Sequence, residues 1–211
     1  NDFVKVFADV PKGTELRLDL LFCGDRYVLN MINIGFDCDV VQRVAQIKRK
    51  TFVPSKMAYA MGIADVFTKP LGKHFKVLID DNELIEKDFM LCALANALYY
   101  GDGFKVAPLA KLNDGYMDLC LVDRVTRPQF LKIIAKYKAG QHIDEEGNSQ
   151  FPFVRYQKCK KVVIESQQTI GVCGDGEISP AKSITIEIAP KAIAFSIPKG
   201  CICKALMDEA P

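Results

Sequence analysis

The sequence lacks any long apolar run, and no stretch of its 211 residues approaches the roughly 18 that a membrane-spanning helix needs. It also lacks the basic segment leading into an apolar one that marks a secretory signal. We therefore expect a cytoplasmic protein whose contact with a membrane is peripheral. Because the chain begins at Asn1 without a methionine, we also expect it to be a fragment of a longer protein.

An excess of charge of one sign is absent as well. The 28 lysines and arginines nearly balance the 26 aspartates and glutamates, and the basic residues are scattered along the chain. A nucleic-acid-binding domain usually carries a basic patch or stripe. Nucleic acid is therefore not an expected partner.

The eight cysteines show neither the spacing of a metal site nor the density of a disulfide scaffold. The only close pair in the sequence is Cys201 and Cys203, and no second pair stands at zinc-ligand spacing. Four others have apolar neighbours and are predicted to be buried as small apolar side chains, namely Cys23, Cys92, Cys120 and Cys173.

Two signatures of common enzyme classes are missing. The two histidines, His74 and His142, lie in unrelated contexts without a nearby nucleophile, which argues against a catalytic triad. No glycine-rich phosphate loop of either common nucleotide-binding pattern precedes a predicted helix. The sequence by itself contains no recognisable nucleotide site.

What the sequence does contain is 49% apolar residues, enough for a substantial core, in a mainly alternating pattern. The predicted fold class is α+β, dominated by antiparallel strands. The first two strands are expected to form a hairpin, the strand 89–98 to be covered on both faces, and the polar stretch 141–150 to be a mobile surface loop. The predicted strands are 15–22, 27–34, 74–79, 89–98, 104–107, 117–122, 161–165, 168–173, 184–188 and 192–197, and the predicted helices cover 40–47, 57–66 and 127–138.

Three polar segments could carry chemistry, and the first runs from Gly101 to Leu119 and contains the loop from Lys111 to Gly115. Its Asn113 and Asp114 expose a carboxylate and several carbonyl groups in a tight turn. Hard cations such as Mg²⁺ prefer these oxygen ligands. Composition alone favours the alternative, in which residues 113–115 are only a polar turn between two strands.

The second segment is Gly174-Asp175-Gly176-Glu177, which follows an alternating strand. Two acidic residues one apart on a glycine-rich bend can project toward the same cleft. One carboxylate could accept a hydroxyl proton while the other faces a metal or a phosphate. The alternative is a solvated hairpin tip.

In the third segment, an apolar strand from Asn30 ends at Gly35, directly before a predicted helix. Asp37 or Asp39 would then lie in the first turn of that helix. Either residue could cap the helix or contact a ligand.

Taken together and in this order, these segments resemble the family of bacterial diacylglycerol kinases and related lipid kinases, with sphingosine and ceramide kinases as distant members. Residues 30–37 resemble the family's Asn-x-Gly-Phe-Asp segment, 55–59 its Lys-x-x-Tyr helix, 96–119 its most specific signature, 174–177 its Asp-Gly-Glu motif and 190–198 its closing strand. The first three residues resemble the end of its Thr-Gly-Asn-Asp-Phe stretch, which follows the nucleotide-binding Gly-Gly-Asp-Gly-Thr motif. The resemblance covers nearly the whole chain and favours a functional role for both acidic loops.

The sequence departs from the family pattern at two positions. Asp102 stands where the family prefers glycine, and Asn113 stands where an aspartate is common. The second departure removes one charge near the expected cation.

The resemblance implies a fold like that of NAD kinase and diacylglycerol kinase. Residues 1–211 would form its mainly antiparallel, sandwich-like C-terminal domain, which holds the lipid. A separate N-terminal domain, absent from this sequence, would bind ATP, with Asn1 bordering the nucleotide. The lipid would enter between the helices at 40–67 and the sheet.

The resemblance also implies roles for individual residues. Glu177 would accept the proton of the lipid hydroxyl with Asp175 beside it. The Asp114 carboxylate would bind Mg²⁺ together with the carbonyl groups of Lys111 and Tyr116. The substrate would contact Gly35, Phe36 and Asp37.

Two other functions stay open. The chain could be a lipid-binding or interaction module without kinase activity, or a kinase for a soluble polyphosphate acceptor such as a nicotinamide cofactor. The second would need a basic acceptor pocket. The lipid that is phosphorylated and the oligomeric state, including a homodimer, are not determined by the sequence.

Overall fold

The computed structural model describes residues 10, 13–50, 52–101 and 103–198, without the side chain of Lys50. Asn1, Asp102, Cys201 and Cys203 lie outside the described residues. The helices in this part of the chain are α1 (Phe36–Lys50), α2 (Ser55–Thr68) and α3 (Arg127–Lys138). The strands are β1 (Thr14–Cys23), β2 (Arg26–Val28), β3 (Met31–Gly35), β4 (Lys73–Ile79), β5 (Glu83–Ala95), β6 (Met117–Asp123), β7 (Val154–Cys159), β8 (Lys161–Gly174) and β9 (Glu177–Ile197).

These nine strands form one antiparallel sheet in the order β2-β1-β9-β8-β3-β5-β6-β7, and β4 pairs with both β5 and β8. Strands β3 and β4 therefore lie end to end between β5 and β8, because β3 pairs with one end of β5 and β4 with the other. The sheet also curls. Asp19 on β1 accepts a hydrogen bond from the amide of Gly115, just before β6, although β1 and β6 are far apart in the strand order.

The sheet is apolar on both faces, which gives the domain two cores. Strand β5 contributes to both, with Cys92 and Leu94 in one cluster and Leu91 and Ala93 in the other. The second cluster packs under the helices and includes Phe130 of α3. Burial of residues 89–95 on both faces confirms the predicted covering, although the strand begins earlier, at Glu83, and ends at Ala95.

The predicted helices and the α+β class are confirmed, as is the burial of the four cysteines with apolar neighbours, which are free thiols.

The predicted single strand 27–34 is wrong. It breaks into β2, which pairs with β1, and β3, which pairs with β5 and β8. The break occurs because the amides of Leu29 and Asn30 donate to the Asp175 carboxylate and not to a neighbouring strand.

Other boundaries also differ from the predictions. The four short strands predicted after residue 160 are two long ones, β8 and β9, and β7 was not predicted. The predicted strand 104–107 is reduced to one bridge between Tyr100 and Phe104. The stretch 141–150 is not wholly a surface loop, because the ring of His142 is buried against Tyr137 and contacts the carbonyl of Val106.

Gly35 at the end of β3 has no room for a side chain. Its φ is +97°, and a Cβ atom there would lie 2.3 Å from the carbonyl oxygen of Met90. We expect Gly35→Ala to lower the free energy of unfolding by about 3 kcal/mol or more, because backbone strain and a backbone clash add. Urea unfolding measures this loss. Gly103→Ala is the control, since Gly103 also has a positive φ but an open environment, and an equal loss there would contradict the explanation.

Candidate functional site

A cleft of about 520 Å³ opens where the start of β3, the helices α1 and α2, and the β8–β9 turn meet. The cleft is lined both by apolar side chains and by side chains with amide and carboxyl groups. The apolar side chains are Leu29, Met31, Val41 and Tyr59, and the polar ones include Asn30, Asn33, Asp37 and Asp175. Such a cleft suits a molecule that has a polar group next to an apolar chain.

The acidic segment 174–177 forms the tight turn between β8 and β9. Asp175 and Gly176 both have positive φ, 48° and 93°, and Gly174 pairs with Glu177 across the hairpin. These values are those of a type I′ turn, which favours aspartate and glycine at its two central positions. The hairpin tip considered from the sequence is therefore present, and Asp175 and Gly176 line the cleft.

The carboxylate of Asp175 ties this turn to the segment between β2 and β3. Its Oδ2 accepts a hydrogen bond from the amide of Leu29 at 2.7 Å, and its Oδ1 accepts from the amides of Asn30 and Met31, both at 3.1 Å. The Asp175 amide in turn donates to the Met31 carbonyl at 3.0 Å. A carboxylate with three backbone donors is suited to holding the turn in place.

Glu177, by contrast, accepts no backbone hydrogen bond at its carboxylate from the described residues and is exposed. Its side chain is 86% exposed, and its Oε2 lies 3.8 Å from a guanidinium nitrogen of Arg26. Arg26 also donates to the hydroxyl of Ser179 at 3.1 Å. The residue before it, Gly176, lines the cleft, and the exposed Glu177 follows directly in the chain.

Asp37 is the predicted substrate-contacting residue that lines the cleft. It lies in the first turn of α1, and its Oδ2 accepts a hydrogen bond from the hydroxyl of Tyr100. Burial raises the pKa of the Asp37 carboxyl to about 6, although the hydrogen bond from Tyr100 limits the rise. Burial likewise holds the pKa of Tyr100 well above its usual value, so its hydroxyl stays a donor.

This pKa predicts how stability depends on pH. An unfolded aspartate has a pKa near 3.9, so between about pH 4 and pH 6 the folded protein binds more protons, and its stability falls as pH rises through this range. Asp37→Asn keeps an acceptor for Tyr100 and removes the ionisation. Relative to the parent, we expect the variant to gain about 1–3 kcal/mol of unfolding free energy between pH 4 and pH 7 in urea unfolding. Asp25→Asn, at an exposed position, should show no such gain, and a flat difference for Asp37→Asn would contradict the assignment.

The other two predicted substrate-contacting residues lie away from the cleft. Gly35 packs against the backbone of Met90, and the ring of Phe36 packs against Phe130 with ring centroids 4.9 Å apart. In the described structure, their contacts therefore support α1 and the sheet.

The predicted cation loop is built around Asp114. Its Oδ1 accepts a hydrogen bond from the Tyr116 amide at 3.1 Å, and its Oδ2 is bonded by the ammonium group of Lys158. Lys158 also lies 3.8 Å from Oδ2 of Asp118, a buried atom for which the described residues offer no hydrogen-bond donor. Carboxylate and carbonyl oxygens fit Mg²⁺, and a cation here would compete with the Lys158 ammonium for Asp114.

We expect Mg²⁺ to raise the Tm of the parent protein and Asp114→Ala to abolish this rise, because Asp114 is the carboxylate of this loop. The loss of one charged ligand should cost about 1–3 kcal/mol of the binding free energy. Lys158→Met should strengthen Mg²⁺ binding, since it removes the competing ammonium. Thermal unfolding with and without Mg²⁺ measures both effects. If the Asp114→Ala variant keeps the full Mg²⁺ shift, the cation binds elsewhere.

Sequence reasoning gave no role to two buried polar residues that fix both acidic loops. Asp19 accepts from the amides of Gly115 and Lys191, each at 2.7 Å. The side-chain amide of Asn96 donates to the carbonyl of Asp19 at 2.7 Å and to that of Leu29 at 3.2 Å. The sequence held a signal for both residues. Asp19 is a polar residue within the otherwise apolar pattern of β1, and Asn96 is a polar residue directly after the apolar strand β5.

Two kinds of feature are missing from the described part of the chain. Within these residues, no three histidine, cysteine, aspartate or glutamate side chains are grouped so that they could hold a metal ion. The same part of the chain contains no helix that is long and apolar enough to cross a bilayer.

Known proteins resemble this chain in both sequence and fold. A protein named probable lipid kinase YegS-like from Shewanella frigidimarina is 25% identical over 193 residues, which is 90% of this chain and 59% of that protein. A diacylglycerol kinase from Staphylococcus carnosus is 26% identical over 177 residues, 83% of this chain and 55% of that protein. The chain thus spans a little over half the length of the curated relatives it matches.

Solved structures support the fold. The structure of a diacylglycerol kinase from Bacillus anthracis superposes with a TM-score of 0.55 and 15% identity, covering 90% of this chain and 56% of its own. Two further Bacillus anthracis structures reach TM-scores of 0.63 and 0.60. The family model described as the YegS C-terminal NAD kinase beta sandwich-like domain matches residues 30–197. The chain therefore belongs to this family, whose curated relatives are named lipid kinases and diacylglycerol kinases.

Proposed function

We propose that this chain, over its whole length 1–211, is the C-terminal, lipid-substrate half of an ATP-dependent lipid kinase. The enzyme transfers the γ-phosphoryl group of ATP to a hydroxyl group of diacylglycerol or a related lipid. The observation that carries the proposal is the β8–β9 turn, which Asp175 fastens to the segment before β3, so that Asp175 and Gly176 line a partly apolar cleft and the exposed Glu177 follows them directly.

The lining of the cleft favours a lipid over a polyphosphate acceptor. The described residues that line it include no lysine or arginine, whereas a nicotinamide cofactor would bring phosphate groups that need positive partners. Its apolar side chains fit the chains of a lipid next to the reacting hydroxyl. Asp37 and Tyr100, which also line the cleft, fit the head of the lipid.

Glu177 acts as the general base in this proposal. Its carboxylate accepts the proton of the lipid hydroxyl while the hydroxyl oxygen forms a bond to the γ-phosphorus and the bond from that phosphorus to the ADP oxygen breaks. Asp175 keeps the turn in register and does not take the proton. Phosphoryl transfer depends on positioning and charge neutralisation, so the turn must be rigid.

The proposal assigns ATP mainly to a second, N-terminal domain of a longer protein, with Asn1 at the border of the nucleotide. Mg²⁺ bound by Asp114 and the carbonyl groups of Lys111 and Tyr116 would hold the loop before β6 in place. The enzyme would work in the cytoplasm, peripheral to the membrane that contains its substrate. A homodimer is compatible with this arrangement.

The test is a panel of lipids with labelled ATP. The full-length protein should phosphorylate at least one lipid that has a free hydroxyl group, and the 211-residue chain alone should phosphorylate none. Lipid binding by the full-length protein without phosphorylation would instead identify a non-catalytic lipid-binding module. Turnover by the isolated chain would contradict the two-domain mechanism.

A further inference from the structure

The hairpin of α1 and α2 next to the cleft has an unusual charge. The 25 residues from Val40 to Ala64 contain five of the 28 basic residues and none of the 26 acidic ones. The basic residues are scattered over the chain as a whole, but not in this segment. Arg43 is neutralised by Asp65, with which it forms an ion pair at 3.1 Å.

The remaining basic residues of the hairpin cluster where α1 ends and α2 begins. Lys48, Arg49 and Lys56 are exposed and make no ion pair with any residue in the described ranges. Lys50 lies in the same short stretch of sequence. This end of the hairpin therefore presents positive charge that no protein group within the described chain compensates.

The outward side of α2 is apolar, although it faces solvent. The helix buries Ala58, Gly62 and Val66 against α1 and the sheet. Its opposite side exposes Met57 by 53% and Met61 by 46%, together with two alanines, and Phe52 before the helix is fully exposed. We call Phe52, Met57, Ala60, Met61 and Ala64 the outer hairpin face. A helix that is apolar on all sides is expected in a core or a membrane.

We propose that the outer hairpin face docks onto the surface of a bilayer that contains anionic phospholipids. Apolar side chains framed by lysine and arginine are the pattern of helices that lie in a membrane interface. The apolar groups would enter the acyl boundary while the basic residues contact the phosphate groups. An acidic protein surface would match the charge but not the fully exposed phenyl ring between the basic residues.

The outer hairpin face lies close to the cleft. The functional role of docking described here rests on the lipid kinase function proposed above. Tyr59 of α2 lines the cleft, and it lies four residues, or about 6 Å along the helix, from the first residue of α2. Docking would thus bring the mouth of the cleft to the bilayer surface. A lipid could then enter the cleft without first crossing water.

The absence of tryptophan from the chain allows a direct test of insertion. In the 211-residue chain, Phe52→Trp places a single tryptophan on the outer hairpin face, and Leu84→Trp places one at another exposed site, in the β4–β5 hairpin. With vesicles of equal parts phosphatidylglycerol and phosphatidylcholine, emission of the first variant should move to shorter wavelength and that of the second should not. Vesicles of phosphatidylcholine alone should give a much smaller shift. Equal responses of the two variants would overturn the proposal.

Charge variants of the parent chain test the electrostatic part in a vesicle flotation assay. A lysine or arginine near an anionic surface strengthens binding by about fivefold, so Lys48→Gln with Arg49→Gln should weaken it by about 25-fold. Arg155→Gln with Lys161→Gln removes the same charge from β7 and β8 and should change binding by less than about threefold. Added salt should weaken binding of the parent. Equal losses in both double variants would show non-specific attraction and overturn the proposal.

Failure of this inference can be told apart from failure of the proposed function. In the full-length protein, Lys48→Gln with Arg49→Gln should lower phosphorylation of diacylglycerol in anionic vesicles but leave phosphorylation of a short-chain diacylglycerol in detergent micelles unchanged. If the parent phosphorylates lipid and the double variant is equally active on vesicles, only the docking surface is wrong. A concentration-dependent blue shift of the Phe52→Trp variant without vesicles, together with dimerisation, would assign the face to a second copy of the chain and overturn the proposal.

Discussion

Replacement of Glu177 by glutamine in the full-length protein is expected to lower kcat by about 10²–10⁴-fold on its best lipid, because a positioned general base contributes that much to a rate. Glutamine preserves the size of the side chain and its hydrogen-bonding shape but cannot take a proton. KM for lipid and for ATP should therefore change little. Steady-state kinetics with labelled ATP measure both parameters.

Glu187→Gln is the matched control for this variant. Glu187 is also an exposed glutamate of β9, but it lies near Lys161 and away from the turn. It should retain the activity of the parent. If Glu177→Gln retains near-normal kcat, the base is Asp175 or a group of the nucleotide-binding half, and Glu177 has no part in proton transfer.

Asp175→Ala is expected to lower kcat by about 10²-fold through a different route, because loss of its carboxylate frees the turn from the amides of Leu29, Asn30 and Met31. Since Leu29 and Met31 also line the cleft, KM for the lipid should rise together with the loss in kcat. The variant should also lose about 1–3 kcal/mol of unfolding free energy, the usual range for hydrogen bonds to a charged group.

Two further variants separate positioning from proton transfer. Asp175→Asn keeps one acceptor oxygen and tolerates a positive φ, so it should restore part of the lost activity and stability. Asp81→Ala is the control for strain, because Asp81 has a similar φ of 56° in the β4–β5 turn and should not affect kinetics. A loss in kcat for Asp175→Ala with unchanged KM and stability would assign proton transfer to Asp175 and contradict the positioning role.

Local patterns in the sequence sufficed for much of the fold. The period of apolar residues in α1, α2 and α3 and the alternation in the strands depend on neighbours a few residues apart, so the α+β class and most elements could be predicted. The glycine and aspartate residues of 174–177 likewise encode their own turn. The motifs in this order also indicated the family, which the match over residues 30–197 confirms.

The boundaries of the strands and their pairing partners could not be predicted as well from the sequence. The run 27–34 has the composition of one strand, and its break depends on a carboxylate about 145 positions later in the chain. Strand β7 is a short strand at the edge of the sheet, and it is a strand because it pairs with β6. Tertiary contacts outweigh local propensity at both places.

The sequence alone thus determined the class of fold, the family and the segments that carry the acidic groups, because each is written in residues close together along the chain. The tertiary structure decided which groups contact those carboxylates. Hydrogen bonds between distant segments hold Asp175 against the backbone before β3, whereas Glu177 is exposed near Arg26. Asp37 lines the cleft, but Gly35 and Phe36 do not. Whether a carboxylate is bound or free depends on which donors the fold brings to it, and neighbouring residues in the sequence do not reveal them.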